Sequence, residues 1–157
     1  MTGPFAGNAS EQAILAPARP EDIESLVAID RSSPQPWTAS AFENELRNAP
    51  PTLFALRHGG GVIGFVVTRI HAKEMDIVNL GVAEEHRRLG FGRTVLRLLL
   101  ERARREGVER VFLEVRESNR KAVGLYLGFG FEETQRRKTF YKDPVEDALL
   151  MSLKIEP

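Results

Sequence analysis

The chain has 157 residues, with 22 basic and 22 acidic side chains and no cysteine. This length suits one domain with a substantial core, and the net charge of zero gives no global sign of a nucleic acid or a membrane surface as partner. Without cysteine there is no disulfide, thiolate nucleophile or cysteine-ligated zinc. The three histidines, His58, His71 and His86, lack metal-ligand spacing, so we expect no metal site.

The start of the chain predicts a tail and no targeting segment. Residues 1–12 are mostly small or polar and lack the basic region and apolar run of a signal peptide. No apolar stretch approaches the ~20 residues of a membrane span. We therefore expect a flexible tail at residues 1–12, a single domain at residues 13–157, and a cytoplasmic protein that is a monomer or a weak homodimer.

A strand and two helices are predicted before residue 50. Residues 13–17 can form the strand, and Pro20 suits the first turn of a helix with an apolar stripe. A proline-punctuated loop, residues 32–38, then presents Trp37, the only tryptophan. Two interpretations of Trp37 remain open: it anchors the core, or it lines a substrate cleft. Thr38 or Ser40 can cap the second helix.

Strands and helices alternate in the rest of the chain. Glycines join two β-branched arms into a predicted hairpin, and the remaining pattern is strand, helix, strand, short helix and two strands. The predicted strands are residues 52–57, 62–70, 77–82, 108–116, 131–141 and 145–155. The longer helix follows Gly92 and is ended by Gly107, and the short helix starts at Ser118 or Asn119 and is ended by Gly128 or Gly130. The sheet should therefore be mixed, with helices on both faces.

The turn between the third of these strands and its helix is the first candidate site. It reads Arg87-Arg88-Leu89-Gly90-Phe91-Gly92. Glycines let the backbone approach a ligand, and the first turn of a helix offers unpaired N–H groups at the positive end of its dipole. A pyrophosphate suits such a place. The sequence of this turn matches neither the P-loop motif nor the dinucleotide-binding fingerprint. The alternative interpretation is a tight turn with solvated arginines and no ligand.

A second informative stretch runs from Leu113 to Phe131. Asn119 and Tyr126 are seven apart and would lie about 20° from one another around a helix. The alternative interpretation is a cap at Asn119 and an ordinary amphipathic Tyr126.

Together, these two stretches resemble the GCN5-related N-acetyltransferases. The motif [Arg/Gln]-x-x-Gly-x-Gly after a strand ending in Val82 resembles their acyl-CoA-binding signature, and residues 125–131, LYLGFGF, resemble their LYxxxGF pattern. The run LEVRESN at residues 113–119, with Pro36-Trp37-Thr38 and residues 136–141, is similar to the bacterial ribosomal-protein alanine N-acetyltransferases. The resemblance covers roughly residues 13–153. Leu80-Gly81-Val82 departs from the commoner Ile-Ala-Val.

The resemblance implies a fold and a set of site residues. The fold would be a mixed, mostly antiparallel twisted sheet of six to seven strands with about four helices. Glu114 would be the general base and Tyr126 the general acid, and Trp37 and Tyr141 would contact the acceptor. Acetyl-CoA, as co-substrate, would be held by Leu80, Gly81, Val82, Arg87, Arg88, Leu89, Gly90, Phe91, Gly92, Arg93, Thr94 and Asn119.

The implied reaction is acetyl transfer to the α-amine of a protein N-terminus, with an alanine of a ribosomal protein as the first expectation. An α-ammonium with a pKa of about 8 must lose a proton before it attacks, and the CoA thiolate must gain one. Other acceptors, a lysine side chain or a small amine, stay open, as does a non-catalytic acyl-CoA sensor. Glu114 could instead form an ion pair with a strand neighbour, either on the partner face of Arg116 or at Arg110.

Overall fold

A computed structural model describes residues 12–157. The predicted tail, apart from Gln12, lies outside the described residues. Within them the chain forms four α-helices and seven strands. The helices are α1 Ile23–Asp30, α2 Ala39–Leu46, α3 Phe91–Arg105 and α4 Arg120–Gly128. The strands are β1 Ile14–Pro17, β2 Leu53–His58, β3 Gly61–His71, β4 Glu74–Val82, β5 Arg110–Arg116, β6 Glu132–Lys142 and β7 Val145–Lys154.

The strands form a sheet in the order β1-β2-β3-β4-β5-β7-β6. β1 with β2, β2 with β3, β5 with β7, and β6 with β7 pair antiparallel. β4 and β5 pair in parallel, from Glu74 with Arg110 to Ile77 with Leu113, and helix α3 makes the crossover that parallel strands need. The predicted mixed, mostly antiparallel sheet with about four helices is confirmed.

Local signals explain where several helices begin and end. Thr38 caps α2 as predicted, because its hydroxyl accepts a hydrogen bond from the N–H of Ala41 at 3.1 Å. Gly107, with φ 78°, follows α3 and supplies the left-handed conformation that ends a helix.

Within residues 12–157 no helix has the length and apolar character needed to cross a membrane.

The chain divides into two compact units, and the first comprises residues 12–67 and 79–99 of the described chain. Its core gathers apolar side chains from α1, α2, β2 and β3. The fully or nearly buried members are Leu26, Ile29, Phe42, Leu53, Phe65, Val67 and Ala83. Phe42 meets Phe65 edge to face at 5.3 Å between ring centroids, a favoured geometry for aromatic pairs.

A buried ion pair adds a polar anchor to this unit. Asp22, 3% exposed, receives both terminal nitrogens of Arg57, at 3.0 Å and 2.5 Å. Burial raises the pKa of Asp22, but the hydrogen bonds and charge of Arg57 and the N–H of Arg19 outweigh it and lower that pKa overall. Strand β2 is thereby joined to the start of α1 by a bidentate contact.

The second unit comprises residues 68–78 and 100–157. β5 lies between β4 and β7, and its alternate residues Val111, Leu113 and Val115 are buried. β6 is the last strand of the order, and every one of its side chains except that of Tyr141 is exposed. The assignment of residues 13–157 to one domain stays a prediction.

Candidate active site

Gly81, near the end of strand β4, lies in a tightly packed place. Gly81 lies against the buried ring of Phe65, and a Cβ at position 81 would stand 2.7 Å from Phe65 Cε1 and 3.3 Å from Ile29 Cγ2. Real Cβ contacts are essentially never as short as the first of these distances. The glycine at position 81 therefore leaves the space that the Phe65 ring occupies.

Arg87 braces the turn that follows β4. Its Nε donates to the carbonyl oxygen of Val82 at 3.1 Å, and its Nη2 donates to Ser32 Oγ at 2.8 Å. The guanidinium is thus engaged within the protein, on the strand end and on the loop after α1. Sequence reasoning assigned Arg87 to the diphosphate turn but did not foresee this bracing.

The predicted glycine turn closes directly onto helix α3. Arg88 has φ 67° and Gly90 has φ 85°, so the turn uses left-handed backbone that glycine adopts without strain. Both the N–H and the hydroxyl of Thr94 donate to the carbonyl oxygen of Gly90, at 3.1 Å and 3.0 Å. Phe91, the first residue of α3, is buried with ring centroids 5.3 Å from His58 and 5.6 Å from His86.

This geometry suits an anionic ligand. The first N–H groups of α3 have no intrahelical acceptor and lie at the positive end of the helix dipole, Gly92 adds no side chain there, and Arg88 and Arg93 are exposed. Leu89 is also exposed, at 51%. These features are the ones that a diphosphate site uses, although a tight turn with solvated arginines would have the same backbone.

Glu114 stands on β5 in the second unit with its side chain 39% exposed. Its Oε1 lies 3.6 Å from Nη1 of Arg137 on β6. The ion pair that the sequence offered as an alternative therefore forms. The partner is Arg137, which like Arg116 is in register with Ala148 of β7, and not Arg110. A partly exposed pair of this length contributes little to stability, so the carboxylate remains open to other chemistry.

Tyr126 is the buried titratable group of α4. Its side chain is 8% exposed and packs on Phe131 at 5.6 Å between ring centroids. Burial raises the pKa of Tyr126 to about 12. The phenol is therefore protonated throughout the neutral range and can donate a proton or a hydrogen bond.

Asn119 lies before helix α4 and not on it. It is the N-cap residue, with ψ 68°, and its Oδ1 accepts a hydrogen bond from the N–H of Ala122 at 3.2 Å. The prediction that Asn119 and Tyr126 project from one helical face is wrong, because a cap residue leaves helical geometry. The alternative, a capping asparagine, describes its contacts here.

Tyr141, near the end of β6, sits among charged groups of the same unit. The guanidinium carbon of Arg116 lies 4.0 Å from the ring centroid, and Arg116 Nη1 donates to Glu146 Oε1 at 2.9 Å. Burial raises the pKa of Tyr141, the charge of Glu114 raises it further, and Arg116 opposes both. The ring is half-buried and is held by a cation–π contact.

Trp37 ends the proline-punctuated loop of the first unit. Its ring centroid lies 5.3 Å from that of Phe42, and it packs against the core while staying partly exposed. Its backbone N–H donates to Oδ2 of Asp30 at 2.8 Å, and the same oxygen accepts from Asn79 Nδ2 at 3.3 Å. Both interpretations of Trp37 are compatible with this half-buried position.

Sequence reasoning missed Asp30 and Asn79. Asp30 is 3% exposed and follows Leu26 by four positions, on the apolar stripe of α1. An acidic residue on a buried stripe, at the end of a helix where the dipole disfavours negative charge, was the available signal. Asn79 directly precedes Leu80 on β4. It gave no comparable signal, because a single asparagine in a strand belongs to no motif and to no regular pattern of residues.

Comparisons with known proteins agree with the sequence motifs. A model of the acetyltransferase (GNAT) family matches residues 21–131. A Bacillus subtilis protein assigned the alanine N-acetylation of ribosomal protein bS18 is 34% identical over 139 residues, covering 87% of this chain and 92% of that protein. The bS18-alanine N-acetyltransferase of Escherichia coli is 33% identical over 122 residues, covering 76% of this chain and 82% of the enzyme.

The fold agrees as well. The crystal structure of the ribosomal-protein alanine N-acetyltransferase from Escherichia coli matches with a TM-score of 0.85 at 28% identity, covering 93% of this chain and 96% of that one. The resemblance inferred from the glycine turn and the LYxxxGF pattern is confirmed. The chain therefore belongs to the GNAT acetyltransferase family and is an N-acetyltransferase.

Proposed function

We propose that this enzyme transfers an acetyl group from acetyl-CoA to the α-amine of a protein N-terminus, with an alanine of a ribosomal protein as acceptor. The observation that carries the proposal is similarity, along most of the chain, to proteins whose names state alanine N-acetylation of ribosomal protein bS18. Cytoplasmic action as a monomer or weak homodimer, without a nucleic acid or membrane partner, is part of the same proposal.

The donor half of the proposal rests on the first unit. Acetyl-CoA supplies an acetyl group already activated as a thioester. Backbone groups of the tripeptide Leu80-Gly81-Val82 would hold the pantetheine, and those of residues 88–94 would hold the diphosphate. Support comes from the position of this segment at the first turn of α3, the positive end of the helix dipole, and from the exposed Arg88 and Arg93. Arg87 would act mainly by bracing the turn, since its guanidinium binds Val82 and Ser32.

Tyr126 is proposed as the general acid. A CoA thiolate resembles a cysteine thiolate, with a conjugate-acid pKa of about 8.5, so it accepts a proton when it leaves. The Tyr126 hydroxyl is protonated at neutral pH, as an unperturbed tyrosine already is, and burial raises its pKa further, to about 12. The group therefore arrives at every turnover in the form that can donate.

Glu114 is proposed as the general base, directly or through one water. Its carboxylate is partly exposed, which gives it a route to the proton of an incoming ammonium. An α-ammonium has a pKa of about 8, so a modest base suffices to remove its proton at neutral pH. Arg137, 3.6 Å from the carboxylate, orients the carboxylate until the acceptor binds.

The remaining roles concern binding. Trp37 and Tyr141 would contact the acceptor, and both rings are partly exposed in their own units. Asn119 would contact the CoA arm with the part of its amide that does not cap α4. Its Oδ1 already serves Ala122, so its NH₂ group is the donor left for a ligand.

The test separates chemistry from binding. Tyr126→Phe and Glu114→Gln should each lower turnover by about a hundredfold to ten-thousandfold while acetyl-CoA affinity stays within a few fold. Phenylalanine keeps the packing on Phe131, so only the hydroxyl is lost. Glu117→Gln is the matched control, because Glu117 is also an exposed acid beside an arginine and should retain full turnover.

Two results would contradict these roles. Full activity of Tyr126→Phe and Glu114→Gln across the pH range would show that neither group moves the proton. Equal loss in Glu117→Gln would show that the effect of Glu114 comes from general surface charge. A wild-type protein that binds acetyl-CoA but acetylates no amine would favour the sensor alternative over the enzyme.

A further inference from the structure

Asp30 joins two segments that are distant in sequence. Its Oδ2 accepts the backbone N–H of Trp37, seven positions on, and the Nδ2 of Asn79, 49 positions on, at 2.8 Å and 3.3 Å. The first belongs to the proline-punctuated loop after α1, and the second precedes Leu80 on β4. One carboxylate oxygen therefore fixes the distance between that loop and that strand.

Position 30 is unfavourable for a carboxylate for two reasons, its place at the end of a helix and its burial. Asp30 is the last residue of α1, where the negative end of the dipole opposes an anion, and only 3% of its surface is exposed. Burial raises its pKa, and the hydrogen bonds from Trp37, Asn79 and Ser33 only partly oppose this. Among residues 12–157 its partners are hydrogen-bond donors and no cation pairs with it.

The same loop is tied at its other end. Arg87 donates to Ser32 Oγ at 2.8 Å and to the carbonyl oxygen of Val82 at 3.1 Å. Residues 32–37 are thus anchored at Ser32 and at Trp37, and the two anchors reach β4 at Val82 and at Asn79. The anchors bracket Leu80 and Gly81, two of the three residues proposed to hold the pantetheine.

We propose that Asp30 is a positioning residue for acyl transfer, which holds the Trp37 loop at a fixed distance from Asn79 and so sets where the acceptor binds. This inference rests on the proposed function, because it takes the loop as acceptor-binding and the end of β4 as donor-binding. Asp30 touches neither substrate. It acts through Trp37 on one side and through Asn79 on the other.

Three variants test the inference. Asp30→Ala removes the accepting oxygen, Asp30→Asn keeps one oxygen with two lone pairs in nearly the same shape, and Asn79→Ala removes only the strand contact. Asp76→Asn, an exposed acid on β4, is the matched control. For each variant the acceptor KM, the kcat per calorimetrically counted acetyl-CoA site and the acetyl-CoA Kd are measured with an alanine-initiated peptide.

Asp30→Ala should raise the acceptor KM by about ten- to a hundredfold, the range set by losing hydrogen bonds to a charged group. Its acetyl-CoA Kd should stay within about twofold, since the diphosphate turn is untouched. Asp30→Asn should recover most of the acceptor KM, and Asn79→Ala should fall between the wild type and Asp30→Ala. An unchanged acceptor KM, with only a smaller folded fraction, would overturn the inference.

A second readout does not depend on activity. Trp37 is the only tryptophan, so its fluorescence reports on the loop alone. Acrylamide should quench Trp37 more strongly in Asp30→Ala than in the wild type, and Asp30→Asn should restore the wild-type quenching. Equal quenching in Asp30→Ala and the wild type overturns the positioning role even if activity changes. Failure of the wild type to acetylate an α-amine would instead overturn the proposed function, and the quenching would still decide whether Asp30 holds the loop.

Discussion

Replacing Gly81 with alanine should destabilise the protein, because the new methyl group has no space. A Cβ at position 81 would stand 2.7 Å from Cε1 and 3.2 Å from Cζ of Phe65. The Phe65 side chain is fully buried and is packed edge to face against Phe42. The ring therefore cannot withdraw without disturbing the core of the first unit.

The size of the effect follows from two opposing contributions. Overpacking a filled core typically costs about 1–3 kcal/mol, whereas exchanging glycine for alanine in a strand recovers about 0.5–1 kcal/mol of backbone entropy. The net loss should lie between about 0 and 2.5 kcal/mol, with a midpoint of about 1.25 kcal/mol, which lowers the Tm of a chain of this length by up to about 10 °C.

Differential scanning calorimetry of the wild type and its variants measures this loss. Gly61→Ala is the matched control, since nothing lies within 4 Å of a Cβ at position 61 and the variant should keep the wild-type Tm or exceed it. In a Phe65→Leu background the cost of Gly81→Ala should shrink by at least about 0.5 kcal/mol, because the ring atoms that the new Cβ meets are gone. A Gly81→Ala variant as stable as Gly61→Ala, or an undiminished cost of Gly81→Ala in the Phe65→Leu background, would refute the reasoning.

Two of the three further predictions concern the Asp22–Arg57 ion pair, and the third concerns the glycine turn before α3. Arg57→Met should lower the free energy of unfolding by about 3–5 kcal/mol in urea titrations, because it leaves a buried carboxylate unpaired; a loss below about 1 kcal/mol would contradict this. The lowered pKa of Asp22 means that its charge stabilises the fold above the ordinary aspartate pKa of about 4 and that this stability is lost as the pH falls through the lowered value. The stability difference between wild type and Asp22→Asn should therefore narrow in that acidic window and stay constant above it. Gly92→Asp should abolish acetyl-CoA binding in calorimetry, whereas Gly124→Asp, on an open face of α4, should leave it intact; unchanged affinity in the first variant would remove the turn from the site.

Local patterns carried the prediction of the elements. Helix α3 could be predicted from two local signals. Its apolar residues recur at helical spacing, and Gly107 marks its end. Such signals were insufficient at Asn119, where the same spacing argument treated a cap residue as part of the helix. Spacing alone does not reveal where a helix begins, because cap residues share the sequence window but not the dihedral angles.

Contacts between residues that are distant in the sequence could not be predicted from it. The bond from Arg87 to Ser32 spans 55 positions and the bond from Asn79 to Asp30 spans 49, and no periodicity encodes such pairs. The partner of Glu114 was foreseen as an arginine, but the identity of Arg137 depends on the register of β6 against β7. Register is set by the whole sheet, including two irregularities in that pairing.

The most direct test of the central claim, acetyl transfer to an α-amine, uses one peptide that begins with alanine and carries an internal lysine. At neutral pH the unprotonated fraction of an α-amine exceeds that of a lysine side chain by about two to three powers of ten, and contacts with the acceptor should add to this preference. Mass spectrometry of the product at low conversion should locate the acetyl group on the alanine nitrogen. Predominant acetylation of the lysine side chain would contradict the N-terminal assignment, whereas it would leave membership of the GNAT family intact.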